Sequence, residues 1–219
     1  MNDDEIEEAG RKLQQSAWNL YRSAPDLDAL LDFLWEGIGT GGAALGTVEP
    51  LGPRRGVELG DVRGRWVGTG CAYNARITTP DGAFRGTVTF LVRLCGMPGR
   101  TDGEPDDVAW PWLQQASMIV GWHTDQNNED ERWELANFEP TADNIGCIQP
   151  AASRPANDPV WAWHTEEHDW SHFFALPLFA LQSEDDARRH VLEPLAKLFA
   201  NIETEDAFPA NTPAFPTPA

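Results

Sequence analysis

The densest run of chemically capable side chains lies between Trp161 and Phe174. It reads Trp161-Ala162-Trp163-His164-Thr165-Glu166-Glu167-His168-Asp169-Trp170-Ser171-His172-Phe173-Phe174 and holds three of the five histidines and three of the ten tryptophans. On a helix, His164, His168 and His172 would stand one turn apart, drifting by about 40° per step. Two imidazoles at that spacing can converge on one tetrahedral zinc. Under this reading the three histidines are metal ligands, and Glu167 is the general base that activates a bound water. A different chemistry uses the same run as a contact surface. Trp161, Trp163 and Trp170 would be aromatic anchors, with Glu166 and Asp169 as a charged rim, as in a binding hot spot.

The five residues His164-Thr165-Glu166-Glu167-His168 match His-x-x-Glu-His and so resemble the zinc motif of inverzincins. What the resemblance implies is a metal-dependent hydrolase with zinc as cofactor, and it extends over these five residues alone. Thr165 also reads as a helix N-cap lying inside the motif, which would leave His164 outside the helix. The run can equally be explained without metal. Glu166 and Glu167 suit the positive end of a helix dipole, and the aromatics that follow suit a core face. A hairpin turning at Glu166–Asp169 fits the same residues, because short apolar runs do not separate helix from strand.

Positioning elements can be read on either side. Ile6, Leu13, Ala17, Leu20 and Tyr21 fall on one helical face. Ser23 and Pro25 then mark a new helix start, and Leu27, Leu30, Leu31, Leu34 and Ile38 form its stripe. The glycines from Gly37 to Gly42 follow a helix rather than a strand and lack a Lys-Ser or Lys-Thr partner, so they read as a connector and not a phosphate loop. From Trp66 the period becomes two. Tyr73, Ala75 and Ile77 precede the turn Thr79-Pro80-Asp81-Gly82, and Phe84 and Val88 to Leu94 return from it, a long hairpin.

Met118, Val120 and Trp122 predict another strand, and Arg132–Phe138 a strand returning from it. Asp125–Glu131, between them, lacks the glycine and final glutamate of a calcium loop and reads as a solvated connection. Val160–Trp163 predicts a short strand. Ser183 with Asp186 predicts a capped last helix, with Val191, Leu195, Leu198, Phe199 and Ile202 on its inner face and Pro194 bending it.

Composition bounds the function. The 219 residues are 41% hydrophobic and 23% charged, and the net charge is −19. That charge argues against direct contact with nucleic acid or anionic membrane and favours encounter with basic partners. Eight arginines between residues 51 and 100 make that block +5 within a remainder of −24, a possible small-anion site or a region paired internally. Cys71, Cys95 and Cys147 form no CxxC pair, which favours a reducing compartment. The acidic N-terminal residues do not resemble a signal peptide, and no apolar run is long enough to span a bilayer.

The expectation is a single α+β domain over residues 1–206: an N-terminal helical pair, a mostly antiparallel sheet of five to seven strands with long hairpins, and a C-terminal helix. Residues 207–219, with four prolines, are expected to be a flexible tail. The leading functional expectation is a cytoplasmic, non-enzymatic, cofactor-free acidic module. It would bind a basic or nucleic-acid-handling protein as an inhibitor, immunity protein or regulatory factor through Trp161, Trp163, Glu166, Asp169 and Trp170. The alternative is the zinc hydrolase built on His164, Glu167, His168 and His172.

Overall fold

Two-residue periodicity builds the centre of the molecule. β3 (Gly68–Thr78) and β4 (Phe84–Arg93) form the long antiparallel hairpin. Its turn is closed by the Thr79 N–H donating to the Ala83 carbonyl at 2.8 Å, and Gly82 takes a φ of +86° that a side chain would resist. β5 (Ser117–His123) pairs with β4, and β8 (Asp169–Pro177) with β5. β7 (Trp161–His164) and β6 (Ile148–Pro150) extend the sheet beyond β8. On the other side β1 (Thr47–Pro50) and β2 (Gly56–Leu59) share one edge of β3. Among the described residues, eight strand segments therefore fill seven positions, in the order β1-β3-β4-β5-β8-β7-β6, and every pairing is antiparallel. The computed structural model describes residues 3–40, 44–52, 56–59, 68–94, 110–130, 132–133, 135–138, 146–151, 158–164, 169–202 and 204–217.

The predicted helical pair is one helix. α1 runs from Asp3 to Thr40 with Pro25 inside it. Proline has no N–H to give the Tyr21 carbonyl one turn back, so the ladder loses a bond there and the helix bends without ending. The predicted apolar stripe is in place: Leu31, Leu34 and Ile38 are buried against one face of the sheet. Gly37 belongs to this helix. A Cβ on it would meet Leu192 Cδ1 at 2.3 Å, so the bare backbone lets the C-terminal helix seat closely on α1.

That C-terminal helix starts as the sequence predicts. Ser183 Oγ accepts the Asp186 N–H at 3.2 Å and donates to Asp186 Oδ2 at 2.8 Å. α2 (Glu184–Ala187) passes through a π turn at Arg188–Leu192 into α3 (Glu193–Phe199). Pro194 cannot donate to the His190 carbonyl, and the Glu193 N–H bonds Arg188 five residues back instead. Val191, Leu195, Leu198 and Phe199 are buried, whereas Ile202 lies beyond the helix and is exposed.

The opposite face of the sheet is covered by aromatic side chains on irregular chain. Trp112 is fully buried, with ring centroids 5.0 Å from Trp161 and 5.3 Å from Phe173, both edge-on. Its Nε1 donates to the Phe138 carbonyl at 3.2 Å. The predicted strand over Arg132–Phe138 is instead a 3₁₀ turn at Leu135–Phe138. Its approach is fixed by Asn74 on β3, whose Oδ1 accepts the Trp133 N–H at 3.0 Å and whose Nδ2 donates to the Trp133 carbonyl at 3.2 Å. Thr89 Oγ1 donates to the same Oδ1 at 2.6 Å. The Trp133 indole lies over Gly121, where a Cβ would stand 2.6 Å from Cζ3.

The tail expected to be mobile is docked. Phe208 packs edge-on against Phe174 at 5.0 Å on the helical side, and Phe215 packs on the aromatic side. Between them the chain rounds the edge of β8. The Phe215 N–H donates to the Ala175 carbonyl at 2.8 Å, and the Thr217 N–H to the Asp158 carbonyl at 2.9 Å. β7 pairs with β8 only as far as Phe173, so the tail meets a carbonyl that the sheet leaves open.

Two stability measurements follow. Asn74→Ala strands both backbone groups of Trp133 under the aromatic layer. It is expected to cost about 3 kcal/mol in urea unfolding, against under about 1 kcal/mol for a surface Asn→Ala control. Removing residues 208–219 takes away two packed phenylalanines and is expected to cost at least about 3 kcal/mol. A truncated chain as stable as the full one would show the tail to be unpacked.

Candidate functional site

The run from Trp161 to Phe174 is a hairpin, not a helix. β7 ends at His164, β8 starts at Asp169, and these two residues face each other in the ladder after a register shift. The hairpin alternative fits and the helical spacing of the histidines does not apply. His172 stands opposite Ala162, two residues before His164, and its ring stacks on Trp122 with centroids 5.8 Å apart. Glu166, Glu167 and His168 lie outside the described residues, as do the side chains of Asp169 and Trp170. Among the described residues, no group of three or more His, Cys, Asp or Glu is placed to hold a metal ion.

The tryptophans divide between core and surface. Trp161 is 3% exposed and stacks on Phe173, so its ring is a structural wedge and not the surface anchor expected. Trp163, opposite Ser171, is half-buried at the margin of the aromatic layer.

Strand direction gathers further residues beside this hairpin. β3 runs toward the turn at Thr79–Gly82, β5 and β7 run toward the same end of the sheet, and β8 leaves from it. Three connections therefore start there: the β3–β4 turn with Asp81, the loop after β5 with Asp125, Glu129 and Asp130, and the connection between His164 and Asp169, whose sequence carries Glu166 and Glu167. The spread of these acids over three distant stretches hid them in the sequence. The signal was present in the alternation of strand direction.

Local bonds fix this end. Asp125 caps the 3₁₀ turn Gln126–Asn128, accepting the Asn127 N–H at 2.9 Å and Asn128 Nδ2 at 2.7 Å. These bonds, led by the Asn127 N–H, hold its carboxyl below the usual aspartate range. They also use the oxygens that a calcium loop would direct at an ion. Arg76 on β3 draws the loop down, with Nη2 at 2.7 Å from Asp130 Oδ1 and 3.2 Å from Glu129 Oε2. Asp81 accepts from Thr79 Oγ1, and its carboxyl is likewise lowered, chiefly by that bond. Of the arginine-rich block, Arg76 is thus paired with acids, Arg85 donates to the Leu45 carbonyl, and Arg93 is buried. Arg54, Arg55, Arg63, Arg65 and Arg100 lie outside the described residues, as does Cys95.

A second feature lies on the helical side. A groove of about 550 Å³ runs between α1 from Ser23 to Phe33 and the segment Leu178–Glu184, with Phe179 75% exposed at its margin. Among the described residues, no helix is long and apolar enough to cross a membrane. Comparison with protein-family models, curated proteins and solved structures finds no match to this chain.

His123 ends β5 at the acidic end and is 3% exposed. Burial pushes its pKa from 6.5 down to about 4, although the Asp125 carboxylate pulls the other way. The unfolded chain binds this proton more readily, so the stability His123 contributes is complete above pH 6.5 and is lost as pH falls toward 4. Thermodynamic linkage puts the loss from this one group at about 2 kcal/mol between pH 7 and pH 5. His123→Gln should flatten the pH dependence of urea unfolding over that range by a similar amount. An unchanged slope would contradict the assignment to His123.

Proposed function

We propose that this chain is an acidic protein-binding module that holds a basic partner against the acidic end of its sheet and so acts as an inhibitor, immunity protein or regulatory factor. The observation that carries the reading is that three connections whose sequences carry acids start at one end of an antiparallel sheet, in a chain of net charge −19. A field of one sign speeds encounter with an oppositely charged surface and repels phosphate backbones and anionic lipid. Trp163 and Trp170 lie within a few residues of Glu166 and Asp169 and supply aromatic anchors beside the charges. Of the surface set read from the sequence, Trp163, Glu166, Asp169 and Trp170 remain in this proposal, joined by Asp81, Glu129 and Asp130. A reducing, cytoplasmic setting is part of the proposal and agrees with Cys71 and Cys147 as thiols.

The test is affinity capture from the native host at low and at about 0.5 M salt, using the full chain and the triple charge reversal Glu166→Lys, Glu167→Lys and Asp169→Lys. The expected result is one stoichiometric basic protein, weakened by salt and reduced at least about tenfold by the reversal while the circular dichroism spectrum is unchanged. A partner retained equally by the reversed chain, or a partner that is not basic, would contradict the proposal.

A further inference from the structure

The first half of α1 extends away from the sheet. From Glu7 to Asp26 every described side chain except Glu8 is exposed. Trp18 is 54% and Tyr21 73% exposed, and their rings stack on each other 5.7 Å apart. Most helical stability in proteins comes from packing one face against a partner, and aromatic residues in one stripe of an exposed helix call for a cover.

Charge along α1 is divided into three blocks. Residues 3–8 carry Asp3, Asp4, Glu5, Glu7 and Glu8 and no base, residues 9–24 carry Arg11, Lys12 and Arg22 and no acid, and residues 25–40 carry Asp26, Asp28, Asp32 and Glu36 and no base. Two such helices laid antiparallel about an axis between Ala24 and Pro25 set each basic block against the other's acidic block of residues 25–40. Among the antiparallel arrangements that pair blocks of opposite charge, this axis is the one that places Trp18 of one helix level with Leu31 of the other, and Tyr21 level with Asp28. Leu27, Leu30 and Phe33, which flank those positions, line the apolar groove beside Phe179.

We propose that a second copy of this chain occupies the groove: each copy inserts the Trp18–Tyr21 stripe of its α1 into the groove of the other, giving a two-fold symmetric dimer. Four inserted aromatics, about half to three-quarters exposed in each copy, would bury about 500 Å², and the groove surface they cover adds to this, which brings the contact toward the range of specific interfaces. Lys12 and Arg11 already pair with Glu8 on their own helix. Those exposed pairs are weak and exchange readily for acids of the facing helix. The surface is separate from the acidic end of the sheet, so this inference stands or fails independently of the function proposed above.

The experiment is sedimentation of the full chain from about 1 to about 100 µM at low salt. The expected result is a concentration-dependent doubling of the 24.3 kDa mass, weakened by salt. Trp18→Ala with Tyr21→Ala changes only exposed positions. It should leave the circular dichroism and melting of the dilute chain unchanged and raise the dimer dissociation constant about 100-fold. Lys12→Glu should weaken association, and Lys12→Glu combined with Glu36→Lys should restore it. A 24.3 kDa mass throughout the range would overturn the proposal, as would a doubled mass indifferent to the aromatic pair or a double reversal that fails to restore it.

Discussion

The side chain of Asn74 makes the second face of the sheet possible. The sheet is apolar on both sides, but among the described residues the long helices cover only one of them. The other is closed by irregular chain, which brings backbone donors and acceptors against an apolar layer where each would be costly if unmade. Asn74 presents an amide from the strand to the amide of Trp133, as a further strand would, and Thr89 holds it in that orientation. Trp133 then lies over Gly121 with Phe138 and Phe173 edge-on against it, and Trp112 packs edge-on against Phe138, Phe173 and Trp161. The tail completes the arrangement by bonding the one stretch of β8 that β7 does not reach.

This construction explains where the charge lies. With both faces of the sheet covered, its connections are the places left for polar chain, and the antiparallel order sends three of them to the same end. Arg76 pairs with Glu129 and Asp130 and so ties the loop after β5 to the strands. The extended half of α1 is the other departure from a closed globule, and its exposed aromatics are far in sequence from the acidic connections.

Much of the fold was legible in the sequence. The β3–β4 hairpin, β5, β7 and the Ser183 cap were read from alternation and capping residues, signals that depend on neighbours in the chain. What sequence reading missed depended on distant partners. Pro25 reads locally as a helix start, but one lost hydrogen bond does not end a helix whose second half is anchored by Leu31, Leu34 and Ile38. Arg132–Phe138 carries strand-like residues and is diverted by Asn74, 59 positions earlier in the chain. The prolines of the tail suggest a flexible chain and give no sign that Phe208 and Phe215 find cores on opposite faces. Among the candidate site residues, His164 and His172 looked convergent only under a helical period. Trp161 could not be separated from its surface neighbours until Trp112 was seen to pack against it.

The acidic end of the sheet is proposed to be a contact surface. Zero-length carbodiimide cross-linking in native extract, followed by mass spectrometry, tests it most directly, because the reagent joins a carboxylate to a lysine only where the two already touch. A contact there should give links from Asp81, Glu129, Asp130, Glu166, Glu167 or Asp169 to the lysines of one basic protein. Links confined to the chain's own lysines, or spread evenly over its 35 acidic residues, would contradict it.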